Sequence, residues 1–243
     1  MKRLGALACL VWCLVVGSAE AGNISLQWTG GVNVTVKFDA TTINTAAGDF
    51  KLTATNNTLE PWLDQGQTFY TFCVDLQHYS TNPLTATWDW MSNWNMPAAG
   101  SNPAYPRTDN TQGRGRAAYL GSQYFTLYPT GLATNDVAAA YQLAIWELLY
   151  EQNNTFNVFS GSTYFTNISN SIRDAANTLI AGSAGHVGQV GWLRTDNTGA
   201  YAQDYMAPAP VPDALSTLGA LGISLASLTS LRRRWHKILD REP

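Results

Sequence analysis

With 14 basic against 17 acidic side chains in 243 residues and a net charge of −3, the chain has neither the sign nor the density of charge for a nucleic-acid or anionic-lipid partner. Only 13% of its residues are charged, so Asn, Thr, Ser and Gln must keep its surface soluble, which suits an extracellular protein. Between residues 22 and 210, thirteen acidic residues face seven basic ones, and that stretch is long enough for one domain of ordinary size.

The first residues have the three parts of a secretory signal. Lys2 and Arg3 form the positive end, Leu4 to Gly17 an apolar stretch short for a membrane span, and Ala19-Glu20-Ala21 the small-residue cleavage site. Cleavage is expected after Ala21, leaving Gly22 as the mature N-terminus. Cys9 and Cys13 fall inside this leader, so Cys73 becomes the sole thiol of the mature chain. A lone thiol in an exported protein makes no internal disulfide. It is a buried apolar group, an intermolecular crosslink or a chemically special side chain.

The body opens with strands. Ile24, Leu26 and Trp28 alternate with polar residues, and so do Val32, Val34, Val36 and Phe38. Gly30-Gly31 is expected to close a hairpin between them. Asp49 to Thr55 and Thr68 to Leu76 are further strands, the latter carrying Cys73. Residues 80 to 112 read as an irregular excursion holding Trp88, Trp90 and Trp94.

Helices follow. One is expected from Arg116 to Phe125, and a stronger one from Val137 to about Gln152 behind an Asn135-Asp136 cap. A third runs from Asn170 to Ala181, with Gly182 as its stop. Val187 to Leu193 and Tyr201 to Met206 return to strands. The fold class is α+β, with β-strands flanking a central helical segment.

After residue 206 the composition changes. Pro208, Pro210 and Pro212 punctuate a linker spanning 207 to 214, extended because proline neither pairs in a sheet interior nor enters a helix. Leu215 to Leu231 carries no charge and would span roughly 25 Å as a helix, the short end of a transmembrane segment. Arg232, Arg233 and Arg234 follow it, which places the body outside and the tail in the cytoplasm.

This tail resembles the PEP-CTERM sorting signal of Gram-negative bacteria: a Val-Pro-Glu-Pro motif, an apolar helix and an arginine cluster. Here Val211, Pro212, Asp213 and Ala214 stand at the motif, so the acid is kept and the second proline is lost, and the chain runs on to Pro243. The resemblance implies export, retention in the inner membrane, processing by an exosortase as partner, and release to the cell surface or extracellular matrix.

Two strings carry the chemistry of the body: Phe72-Cys73-Val74-Asp75-Leu76, and Tyr141-Gln142-Leu143-Ala144-Ile145-Trp146 followed by Glu147. Together they resemble the thioester domains of bacterial surface proteins, over roughly residues 68 to 151. The resemblance implies that the Cys73 sulfur attacks the Gln142 carboxamide, expels ammonia and leaves an internal thioester. A surface amine would then open that bond to form a covalent link. Asp75, His78 and Trp146 are the neighbouring side chains able to support it. In the related domains Thr often precedes the Gln, where this chain has Tyr141.

The alternative is a non-covalent, exopolysaccharide-associated structural or carbohydrate-binding protein in which Cys73 is a core thiol, since free cysteine is among the most buried residue types. Trp88, Trp90 and Trp94 would then be the candidates for stacking on sugar rings; the commoner role of Trp in a compact domain is to fill the core between sheet and helices. A Cys73/His78/Asp75 protease set is disfavoured because all three crowd one strand. No enzyme activity, cofactor or metal is expected, since no metal spacing or phosphate loop occurs.

Overall fold

In the computed structural model, which describes residues 22–38, 41–56, 63–76, 83–93, 111–131, 133–195 and 203–209, Val34, Val36 and Phe38 turn inward and their polar neighbours outward, as the alternation requires. The chain separates into two compact units, Met1–Pro208 and Ala209–Pro243. The leader, the apolar segment 215 to 231, the sorting residues Val211 to Ala214 and Arg232 to Arg234, His78 and Trp94 all lie outside the described residues. Among the described residues no helix is long and apolar enough to cross a membrane.

The two expected N-terminal strands are one. β1 (Gly22–Phe38) runs unbroken beside β2 (Thr41–Ala54) in antiparallel register from Ile24↔Ala54 to Phe38↔Thr41. Gly30-Gly31 makes no hairpin. The register shifts between Trp28 and Gly30, and Gly30 takes a φ of 130°, so the glycines form a bulge within the strand. The packing explains why they are glycines. A Cβ on Gly31 would stand 2.4 Å from Ala47 O and 2.6 Å from the Trp28 ring, and one on Gly48 would stand 2.3 Å from Gly30 O. The indole of Trp28 lies over a stretch of ladder that has no side chains.

β3 (Thr68–Thr71) pairs with β2. β4 (Leu84–Trp90) pairs with the first residues of β1, in a region expected to be irregular. β6 (Gly191–Arg194) pairs with β4, and β7 (Tyr205–Ala207) with β6. The strand order is β3-β2-β1-β4-β6-β7, with β5 (Thr163–Thr166) joined to the far end of β1. The sheet then closes on itself. Met206 N donates to Phe72 O at 3.1 Å, Val74 N donates to Asp204 O at 2.9 Å, and Cys73 bridges to Tyr205. The segment leaving β3 is therefore the seam of a barrel, and Cys73 sits on it. Ala207, assigned from sequence to the linker, is the last residue of β7, buried opposite Gly191.

Three helices cover this barrel: α1 (Thr111–Leu127), α2 (Asn135–Tyr150) and α3 (Asn170–Gly182). Thr134, not Asn135, caps α2 by accepting from Val137 N, and Ser169 caps α3 in the same way. Every residue of α2 from Ala138 to Tyr150 is buried, Gln142 and Glu147 included, so the helix is enclosed on all sides. It packs against β1, β2 and β5 and against α1 and α3. The architecture is α+β, with β5 as an unforeseen strand between α2 and α3.

Candidate functional site

Cys73 and Gln142 meet across 69 residues where α2 crosses the barrel seam. The Cys73 thiol donates to Gln142 Oε1 at 3.5 Å, and Gln142 Nε2 donates to Cys73 O at 2.8 Å. The second bond fixes the plane of the carboxamide and turns its oxygen end toward the sulfur. Gln142 is fully buried and Cys73 is 2% exposed. The pair lies in a water-excluded site made by two rigid elements, the condition that raises effective molarity between reacting groups.

The electrostatics oppose a free thiolate. Burial pushes the Cys73 thiol well above its ordinary value, and the charge of Asp75 pushes it further; a backbone hydrogen bond and the Trp146 indole pull weakly the other way. Asp75 is itself fully buried, and its carbonyl accepts from Gln203 Nε2 at 2.8 Å. Asp204, on the other side of the seam, is raised to about 6 by burial, with the Asp75 charge adding to it. Its carboxylate accepts from Trp192 Nε1, Thr195 N and Thr195 Oγ1.

An aromatic layer flanks the pair. Tyr141 stacks on Phe72 at 6.1 Å, and the Tyr124 ring meets both edge-on, at 4.5 Å from Phe72 and 5.1 Å from Tyr141. Tyr141 also lines a cleft of about 520 Å³ between α2 and α3, with Tyr128, Asp136, Val137, Ile172 and Leu179. Neither Tyr124 nor Asp204 carries a local sequence signal. Each is brought to the site by long-range pairing.

Trp146 stands one helical turn beyond Gln142, 1% exposed, its ring stacked on Phe165. Its indole nitrogen makes no hydrogen bond of ordinary geometry. Of the tryptophans considered for sugar stacking, Trp88 is 3% exposed and packs edge-on against Trp90 at 4.7 Å. Its indole also lies where a Cβ on Gly191 would be, at 2.3 Å. A ring enclosed in this way belongs to the core and has no face for a sugar; Trp90 is half-buried beside it.

No family model matches the chain, and no curated protein sequence is similar to it. Solved structures similar to it in fold include two thioester domains. The N-terminal thioester domain of a fibronectin-binding protein from Streptococcus pyogenes covers 74% of this chain and 94% of its own, at 15% identity and a TM-score of 0.38. The N-terminal thioester domain of a surface protein from Clostridium perfringens covers 74% of this chain and 100% of its own, at 11% identity and a TM-score of 0.40. Likeness at these scores decides nothing about the site, whose chemistry rests on the residues above.

Proposed function

We propose that the body is an exported surface-adhesion module in which Cys73 and Gln142 form an internal thioester. The observation that carries this reading is the contact of the one mature thiol with the one carboxamide that meets it, held by two hydrogen bonds in a buried site.

The reaction is thiol plus carboxamide giving thioester plus ammonia. Cys73 Sγ attacks Gln142 Cδ, the C–N bond breaks, and the departing ammonia carries away the thiol proton. In this reading Asp75, buried two residues from Cys73 and close enough for its charge to act on the thiol, relays that proton. A primary amine on a partner then attacks the acyl carbon. The C–S bond breaks and a stable secondary amide joins the two proteins. Tyr141, between Phe72 and the α2–α3 cleft, is the side chain that must move for an amine to arrive from that side. Export through the N-terminal leader, and retention by the C-terminal segment until an exosortase processes it, complete the reading.

The test is the intact mass of freshly purified exported protein against the mass of the sequence between its measured termini. The thioester form is lighter by one ammonia. The deficit disappears in Cys73→Ala and in Gln142→Ala, and methylamine adds to wild type alone. A wild-type mass equal to the sequence mass, with a thiol that titrates once unfolded, assigns Cys73 to the core and leaves a non-covalent binding protein.

A further inference from the structure

A buried donor without an acceptor costs free energy, and native structures retain few of them without a reason. Trp146 Nε1 is one such donor. Its position is set by the helix: residues four apart on α2 share a face, so the indole rises from the same face as the Gln142 carboxamide. Stacking on Phe165 at 6.4 Å and 16° fixes the ring. On that face Gln142 already meets the Cys73 sulfur at 3.5 Å, and the indole one turn further on acts on the same sulfur, pulling its titration down against the effect of burial. A neutral thiol is a weak acceptor, whereas a thiolate is a strong one. The indole N–H therefore has no partner while the sulfur is neutral and gains one when the sulfur becomes an anion.

We propose that Trp146 Nε1–H is the catalytic donor that holds the Cys73 sulfur as a thiolate whenever the bond to Gln142 forms or breaks. This rests on the thioester reading for its biological use, but not for its test. In aminolysis the amine nitrogen bonds to the acyl carbon, the C–S electron pair returns to Cys73 Sγ, and the Trp146 N–H hydrogen-bonds to that charge. The proton lost by the amine nitrogen finally neutralises the sulfur. The indole keeps its own proton throughout and no other reactant is consumed. This is transition-state stabilisation by a fixed donor in a dry site, aimed at the leaving group.

Two measurements on Trp146→Phe decide it. The first is the rate at which methylamine opens the bond, followed by intact mass. The expected loss is about 100-fold, the low end of the range for removal of one fixed anion donor. The melting temperature should fall, because a smaller ring leaves a cavity in the core, though loss of an unpartnered polar group offsets part of that cost. The second is the pH titration of the Cys73 thiolate by its ultraviolet absorbance, with Cys73→Ala as blank. It uses methylamine-opened protein, or untreated protein if no bond forms. The thiol should titrate about one pH unit lower in wild type than in the variant.

Loss of folding in Trp146→Phe is met by placing 3-benzothienylalanine at position 146, which keeps the bicyclic shape and has sulfur in place of the N–H. A wild-type mass without the ammonia deficit defeats the thioester reading alone, and the titration then still decides the role of Trp146. Equal thiol titration in both proteins, or an unchanged aminolysis rate, overturns the proposal.

Discussion

Tyr124 donates its hydroxyl to Asp49 Oδ2 at 2.5 Å, tying α1 to β2 opposite the glycine bulge of β1, across 75 residues. Thr29 Oγ1 donates to the same residue, to its carboxylate and to its carbonyl oxygen at 2.7 Å. Both tyrosine and aspartate are buried, and burial together with the Asp49 carboxylate keeps the Tyr124 phenol protonated. The bond thus anchors the ring that packs edge-on against Phe72 and Tyr141, the neighbours of the reactive pair.

Tyr124→Phe keeps this ring and removes one donor from a buried carboxylate. The expected loss is about 1.5–3 kcal/mol, the range for hydrogen bonds to charged groups. Urea unfolding at neutral pH measures it. A shift under about 0.5 kcal/mol would mean that Thr29 satisfies Asp49 without help from the phenol.

The glycine bulge is a second point where one atom matters. Gly31→Ala drives a Cβ into Ala47 O and the Trp28 ring, so backbone or indole must move, and about 1–3 kcal/mol should be lost. Gly182→Ala is the control. It ends α3 with nothing within 4 Å of the new methyl, and should be neutral or gain up to about 1 kcal/mol. Equal behaviour of the two variants in thermal unfolding would show that the ladder under Trp28 is not tightly packed.

The same bulge shows where sequence reading succeeds and where it stops. Val32 to Phe38 was legible because one-sided burial gives a period of two, and the helix from Val137 to about Gln152 because a cap precedes a mostly apolar run. A meeting of Cys73 and Gln142 was implied only by the resemblance of their two strings to thioester domains, and the contact between them is seen in the fold. Gly30-Gly31 misled because a glycine pair signals a hairpin and a bulge equally, and only the partner strand separates them. In β4, Leu84, Ala86 and Trp88 do alternate with Thr85, Thr87 and Asp89, but the Asn and Pro around them read as loop. The seam between residues 71–74 and 204–206 has no local signal. It is a pairing across more than half the chain, and it is what brings Asp204 and Gln203 to the site.

The ends of the chain make their own prediction. N-terminal sequencing of exported protein should begin at Gly22, since Ala19 and Ala21 suit the cleavage pocket. Deleting residues 211 to 243 should release the body in soluble form from a precursor that otherwise stays with the membrane. Exported protein beginning at Met1, or a full-length precursor already soluble, would show that the corresponding signal has been misread.

Glu147 adds a pH dependence of defined sign. Its carboxyl is fully buried in the last turn of α2, with Oε1 accepting from Asn157 N at 2.7 Å and no hydrogen bond at Oε2. Burial raises it to about 9, and the charge of Glu151 adds to the effect against the pull of the Asn157 bond. Unfolded, it would ionise near 4.5. Between these values the folded chain holds a proton that the unfolded chain has released, so stability is highest below the lower value and falls as pH rises toward the upper one. Asp204, raised to about 6 for a similar reason, contributes in the same direction only up to that pH. The interval from about 6 to 9 therefore isolates Glu147. Glu147→Gln keeps an oxygen for Asn157 and cannot ionise. The variant should match wild type near pH 6 more closely than at pH 9, where it should be more stable by about 2–4 kcal/mol. Urea unfolding of both proteins across that interval gives the difference curve, in which histidines and chain termini cancel. A flat difference would mean that Glu147 is ionised in the fold and paired with a cation.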